Sequence, residues 1–499
     1  MFSYWVNQRL WGNDPESFHV VNLLIHVLNA GLVFLVLARL LSRAGWMAKR
    51  VRWAAAIGSG IFLIHPLQTE SVSYVAGRSE SLAALFLLLS YVLFLYRRQE
   101  AISWLEAFGV VVLFALAVRT KENAVGFAAV LILTDVFWPI PFSTARLRRN
   151  WRLYALMAPA ALFGVLYVFS VLAAAPSAGF SLQTFTWYQY GFTEARAIFE
   201  YIRMALWPVG LSLDHDYPAS HTILEHGALV WLLLLGAVIA VAIRFRRSYP
   251  LACFGLLFFL LLLAPTSSIV PIADPLVERR MYLPLVGLIL IGCEVSRHVR
   301  LAPRWTAAAG AAALVLLGFT CYARNLEWSQ PEQVLASAAA QSTHNLRPYI
   351  NLTETLVHEH SCGPAVPYLK RAEQIFPNHY DVDVAWGWAL ECLGRRQEAM
   401  QRLETAARLN PNSRIYEWIG LLYGEMGRPE EAGVALHKAV QLDPGSESAH
   451  EALALWYEAT RDYQAAEQEH QRSLALDPHD EAARAALLRV QGWEQAGSR

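Results

Sequence analysis

Four cations sit where apolar segments end: Arg78, Lys121, Arg279 and Arg280. A guanidinium grips phosphate through a two-pronged fork, and an ammonium acts as a point charge. Phosphate binding is therefore the chemistry these residues suit, with Arg78 and Arg280 ranked first and Lys121 and Arg279 behind them. The competing reading is that each cation only pairs with a nearby acid, Glu80, Glu122 or Glu278. Glu70 and His65 flank Pro66 and either meet a substrate or hold a broken helix together by hydrogen bonds. His19, Asn22 and His26 fall on one face of a single helix, a polar stripe that in a membrane faces protein or water. Asp214 and Asp216 flank His215, but the cluster is short and has no distant partner, so no metal site is expected. Adjacent residues point to different helix faces, so His358-Glu359-His360 is weaker still. No glycine-rich phosphate loop, Ser-His-Asp spacing, CxxC pair or nucleic-acid footprint stands out.

The elements that must hold these residues are hydrophobic. Of the 499 residues, 55% are hydrophobic and 16% charged, and the mean hydropathy is +0.31. That excludes a purely soluble enzyme and a disordered chain. The net charge of zero hides a division: residues 1–322 carry 25 basic and 16 acidic side chains (+9), residues 323–499 carry 16 and 25 (−9). Ten apolar stretches predict membrane spans near 18–41, 53–66, 80–96, 101–118, 123–140, 153–175, 226–243, 250–270, 283–296 and 305–322. Seventeen of the 25 cations fall on one side of the alternation and twelve of the 16 acids on the other. The positive-inside rule then sets Met1, the even-numbered connections and the tail on the outer face. A helix and part of a loop are expected upstream of Met1. Residues 194–207 read as an amphipathic helix in the interface, with Glu194, Arg196, Glu200 and Arg203 opposite its apolar face.

The acidic part is a repeat. Pro377, Pro411, Pro444 and Pro478 recur at spacings of 34, 33 and 34, and residues 413–446 carry small and aromatic residues where a tetratricopeptide (TPR) unit packs its two helices. The expected fold is all-α: a polytopic membrane domain over 1–322, a linker at 323–344 and a TPR α-solenoid at 345–499 with about four repeats and a capping helix. Trp386, Trp388, Trp418 and Trp456 are packing residues in such an array. Cys362 and Cys392 become a possible pair if this side is oxidising.

Six strings stand in order on the outer face: Phe18-His19 through Asn22 to His26; His65-Pro66-Leu67-Gln68-Thr69-Glu70-Ser71-Val72 with Gly77-Arg78; Lys121-Glu122-Asn123; Leu211-Ser212-Leu213-Asp214-His215-Asp216; Glu278-Arg279-Arg280-Met281-Tyr282-Leu283-Pro284; and Arg324-Asn325-Leu326-Glu327-Trp328. In order and context they resemble the transmembrane-and-TPR-repeat proteins of the GT-C glycosyltransferase superfamily. The resemblance implies transfer of a sugar, mannose or similar, from a polyprenyl- or dolichyl-phosphate donor to protein Ser/Thr hydroxyls, with no further cofactor and no nucleic acid. It implies an acceptor or partner held by the TPR groove. That chemistry needs a carboxylate for the hydroxyl and cations for the departing phosphate. In the superfamily the carboxylate lies in the first outer loop, which would precede Met1. On that reading the chain as given is inactive, and Glu70 and Glu122 are the weaker candidates within it. Two alternatives stay open: a membrane-anchored TPR scaffold with a decayed transferase domain, and an O-antigen-ligase-like or polymerase-like enzyme. Four lysines against 37 arginines point to a GC-rich bacterial genome, hence an inner-membrane protein with a periplasmic TPR array.

Overall fold

The computed structural model describes residues 2–97, 99–138, 143–174, 178–179, 186–268, 270–299 and 303–497. Two compact units divide at Gln330/Pro331. Both are helical, and among the described residues the only extended pairing is an isolated bridge between Ala178 and Ile272.

In the first unit every predicted apolar stretch carries a helix: Pro15–Arg43, Ala48–Ile64, Arg78–Leu95, Trp104–Thr120, Phe127–Phe137, Trp151–Ala174, Ala228–Arg244, Pro250–Leu263, Leu285–His298 and Pro303–Trp328. Among the described residues, five spans are long and apolar enough to cross a membrane: Pro15–Arg43, Val75–Leu95, Trp151–Ala173, Glu225–Arg244 and Trp305–Trp328. The expected ten are thus five by length and composition. The others are shortened by breakers: Pro66 follows the Ala48–Ile64 helix, and Pro265 and Pro284 bound the last two short ones. No residue of the most apolar window of Trp305–Trp328 is fully buried in the protein, and only 6% of that in Glu225–Arg244. Helices apolar all round and left uncovered need lipid as their solvent, so this is an integral membrane protein.

Start signals are local. Asp14 caps the Pro15–Arg43 helix, accepting from the Glu16 and Ser17 N–H groups at 3.3 and 3.2 Å, with Pro15 at the first position. Ser103 and Glu106 form a capping box. The Pro250–Leu263 and Leu285–His298 helices cross at two glycines. A Cβ on either Gly255 or Gly287 would lie 2.4 Å from the other's carbonyl oxygen. Backbone cannot step aside as a side chain can, so Gly287→Ala should cost about 1–3 kcal/mol. Thermal unfolding of the purified protein checks this.

The amphipathic segment is the helix Trp187–Leu206. Glu194 does not stand on its polar side. It is 1% exposed, on the face it shares with Ile198 and Tyr201, four and seven residues on. This face packs on Met281 and Leu263 instead of facing lipid.

In the second unit, helices pair as Arg347–His358 with Ala365–Ile375, Tyr380–Cys392 with Arg396–Leu409, Ser413–Glu425 with Pro429–Leu442, and Glu447–Thr460 with Tyr463–Leu476, followed by Glu481–Gly497. Gly420 lets one pair close: a Cβ there would meet Leu436 at 2.5 Å. Cys362 and Cys392 form a disulfide with Cα atoms 6.1 Å apart. The stretch 323–344, read as linker, is mostly helix. The last apolar helix runs on to Trp328, and Pro331–Gln341, whose alanines favour helix, opens the second unit.

Candidate functional site

At one end of the first unit, single-turn helices replace long ones: Pro66–Gln68, Thr69–Val72, Val75–Gly77, Glu122–Gly126 and Glu278–Met281. They gather the charged strings. Glu70 is 1% exposed and binds Arg279 twice, accepting from its backbone N–H at 2.7 Å and from its guanidinium. The Glu70 loop folds onto Gly77, where a Cβ would lie 2.5 Å from the Glu70 carbonyl oxygen; this is why a glycine precedes Arg78. Trp328 closes the loop from the far end of the chain segment, donating from Nε1 to Thr69 Oγ1 at 3.2 Å and stacking on Tyr74.

Beside this pair, Lys121 Nζ lies 3.3 Å from Glu80. The Glu80 carboxylate holds the Lys121 ammonium above its ordinary value. Glu278 is fully buried and accepts from the Ser212 N–H at 2.6 Å and His215 Nε2 at 3.1 Å. The groups therefore stand in three pairs: Glu80 with Lys121, Glu70 with Arg279, and Glu278 with His215. Arg279 and Lys121 keep 32% and 24% of their side chains exposed. Glu122, next to Lys121, is half-buried, and its carboxylate makes no hydrogen bond or ion pair among the described residues.

The two cations ranked first are elsewhere in role. Arg78 is completely buried. Its Nε donates to Asn22 at 2.6 Å, and its Nη atoms donate to Asn7 at 3.0 Å and to the Phe18 and Ser3 carbonyls at 3.0 and 3.3 Å. Tyr4 and Phe18, stacked on each other, both pack against its guanidinium. Four of its five N–H groups are spent, so it ties the N-terminal segment to the bundle and has no fork to offer a phosphate. Arg280 is likewise enclosed. It donates to the Asp274 and Pro275 carbonyls at 2.6 and 2.9 Å and lies 3.5 Å from Glu194. Burial pushes the Glu194 carboxyl up to about 7. By exposure the order runs the other way: Arg279 and Lys121 stay partly exposed, while Arg78 and Arg280 are enclosed.

The histidines are structural. His65 accepts from the Leu67 N–H at 3.2 Å, so its Nε2–H donates to the Ala205 carbonyl at 3.0 Å. It braces the broken helix and touches no open space, being 2% exposed. His26, Asn22 and Asn29 share the buried face of the Pro15–Arg43 helix. Asn29 donates to the Tyr282 hydroxyl at 2.9 Å, which leaves that hydroxyl to donate to His26 Nδ1 at 2.8 Å. His19, expected on this stripe, is exposed. Asp214 and Asp216 are half-buried in the loop that reaches Glu278. Among the described residues no group of three His, Cys, Asp or Glu could hold a metal. Sequence reasoning missed Tyr282 as the hub of this network, although it lies inside a quoted string, and missed the Glu194–Arg280 pair, for which the i, i+4, i+7 spacing of Glu194 with Ile198 and Tyr201 was the available signal.

Comparison with known proteins adds the following. The tetratricopeptide-repeat family matches residues 413–446. The chain is 22% identical over 517 residues to "Protein O-mannosyl-transferase TMTC3" of Mus musculus, covering 90% of this chain and 54% of that protein. It is 25% identical over 426 residues to "Protein O-mannosyl-transferase TMTC4" of Mus musculus, covering 74% and 56%, and 23% identical over 368 residues to "Protein O-mannosyl-transferase F38B6.6" of Caenorhabditis elegans, covering 71% and 50%. The chain spans about half the length of these relatives. Among solved structures it is similar to a thermophilic TPR protein, TTC0263 of Thermus thermophilus, at 18% identity and a TM-score of 0.30 over 38% of this chain and 94% of that one. Over most of its length, and in its six ordered strings, the chain is thus similar to the TMTC-like protein O-mannosyl-transferases.

Proposed function

We propose that this chain serves a membrane glycosyltransferase that moves a sugar, mannose or similar, from a polyprenyl-phosphate donor to protein Ser/Thr hydroxyls on the extracytoplasmic face. The observation that carries the proposal is the partly exposed Lys121–Arg279 pair with the Glu122 carboxylate, which makes no hydrogen bond among the described residues, beside it. In this reading Glu122 accepts the proton of the acceptor hydroxyl, whose oxygen bonds to the anomeric carbon. The bond from that carbon to the phosphate oxygen breaks, and the charge left on the lipid phosphate falls to Arg279 and Lys121. No metal or organic cofactor is needed. The names of the relatives support sugar transfer, and the Cys362–Cys392 disulfide supports an oxidising compartment, the periplasm of a bacterial inner-membrane protein, for the second unit. The groove lined by Tyr416, Tyr423, His437 and Trp456 would take the acceptor or a partner protein.

The test is transfer from polyprenyl-phospho-mannose to a Ser/Thr peptide in proteoliposomes holding the intact protein. Glu122→Gln should lower kcat about 10²-fold with KM for donor unchanged. Transfer by wild type and Glu122→Gln alike contradicts the carboxylate's role. No transfer by wild type, with peptide still bound, favours the scaffold reading.

Acidity should matter through Glu70. Burial pushes its carboxyl up from 4.5 to about 7, against the pull of Arg279. A value raised on folding means the folded protein holds that proton more tightly. Its stability contribution is full below about 4.5 and is lost as pH rises through about 7. A phosphate on Arg279 adds negative charge beside Glu70 and raises it further. Donor binding should therefore take up a proton and weaken between about pH 6 and about pH 8. Glu70→Gln should flatten that dependence, as donor KM measured across the range will show.

A further inference from the structure

At the opposite end of the first unit, where the Pro15–Arg43 and Arg78–Leu95 helices finish, Arg39, Arg43 and Arg97 gather with Arg146 near enough to act on Arg43 and Arg97, and Asp135 lies beside Arg97. Arg39 Nε and Arg43 Nη2 donate to the Leu95 carbonyl at 3.1 and 3.4 Å. Arg97 donates to the Phe94 carbonyl at 2.7 Å and lies 3.5 Å from Asp135. Rings fix two of them: Arg39 lies over Tyr96 and Arg97 over Phe94. Arg39, Arg97 and Arg146 are all near enough to act electrostatically on Arg43.

The acid is already engaged. Asp135 accepts from Asn150 at 2.5 Å and from the Tyr154 hydroxyl at 2.9 Å. Asp135 and Glu106 both act on Arg97, and the carbonyls at a helix C-terminus offset about half a charge, so four guanidiniums against two carboxylates still leave a positive excess. Two observations show it is unmet. Arg43 Nη1 is buried with no hydrogen-bond partner. Arg146 is half-buried, and its side chain makes no hydrogen bond or ion pair among the described residues. A solvated basic patch would expose its N–H groups to water; here the Arg97 side chain is 6% exposed, and Arg39 and Arg43 are held in place by the Leu95 carbonyl.

We infer that this end binds one phosphate-bearing anion, the headgroup of an acidic phospholipid or a free phosphate, through Arg43 and Arg146 with Arg39 and Arg97 behind them. Phosphate offers several acceptor oxygens and the missing negative charge at once. The site is independent of the transferase reading, because it lies at the other end of the helices.

The experiment is native mass spectrometry of the intact protein in detergent with added phosphatidylglycerol or phosphatidylcholine. One phosphatidylglycerol should be retained and phosphatidylcholine should not. Arg146→Gln should weaken retention about fivefold, and because that side chain has no partner among the described residues the fold should survive. Arg43→Gln with Arg146→Gln should weaken it further. Arg244→Gln, another arginine at a helix end, should leave it unchanged. Displacement by millimolar inorganic phosphate supports a site for phosphate itself, and resistance to it supports a site for the lipid headgroup. Retention by Arg146→Gln equal to wild type, or equal binding of phosphatidylcholine, overturns the inference.

Discussion

Arg279→Lys in the intact protein is expected to lower sugar transfer about 10²-fold. Lysine keeps a positive charge against the buried Glu70, so the fold should hold. What it loses is the fork. Arg279 spends one Nη on Glu70 and retains further N–H groups for a phosphate, whereas a lysine must choose between the two anions. The same change at Arg280 should read differently. That side chain is 7% exposed and bound to two carbonyls and Glu194, so Arg280→Lys should lower the melting temperature before it touches the donor. Comparing donor KM and thermal stability for the two variants separates a ligand from a strut.

The second large effect concerns the TPR unit. Cys392→Ser, or reduction of the wild type, removes a bond that spans 30 residues. By loop entropy this should cost about 3.5 kcal/mol. The bond joins the loop after the Arg347–His358 helix to the end of Tyr380–Cys392, so the first two repeats should loosen most. Hydrogen exchange on the intact protein, with and without reductant, checks this: faster exchange over residues 347–409 is expected, with 447–476 little changed. Equal protection throughout would show that the disulfide adds nothing to the fold.

Much of the architecture could be read from residue order, because it rests on local signals. Prolines at near-constant spacing and small residues such as Gly420 announced helix pairs, and long apolar stretches announced membrane helices. What could not be read was which polar groups meet. Arg78 and Arg279 look alike in sequence, each one residue from an acidic or glycine-bearing string. Only the packing of Tyr4, Asn7 and Phe18 around one, and the open side of the other, tells them apart. Span length was overestimated for a related reason. Hydropathy counts apolar residues, while Pro265 follows the end of the Pro250–Leu263 helix within a stretch read as apolar to residue 270. Glu194 is the instructive miss. Its helical position next to Ile198 and Tyr201 marked it as inward-facing, but an isolated charge was assigned to water, and its partner Arg280 lies 86 residues away in sequence. Long-range pairs of this kind are set by tertiary packing, which no local pattern encodes.

The most direct measurement is the affinity of the intact protein, in nanodiscs, for polyprenyl phosphate with Lys121→Met and Arg279→Lys combined. Each cation should contribute a charge-assisted hydrogen bond to the phosphate, so the double variant should bind about tenfold more weakly or worse than wild type. Full affinity in that variant, with the fold intact, would contradict the placement of the donor phosphate on Lys121 and Arg279.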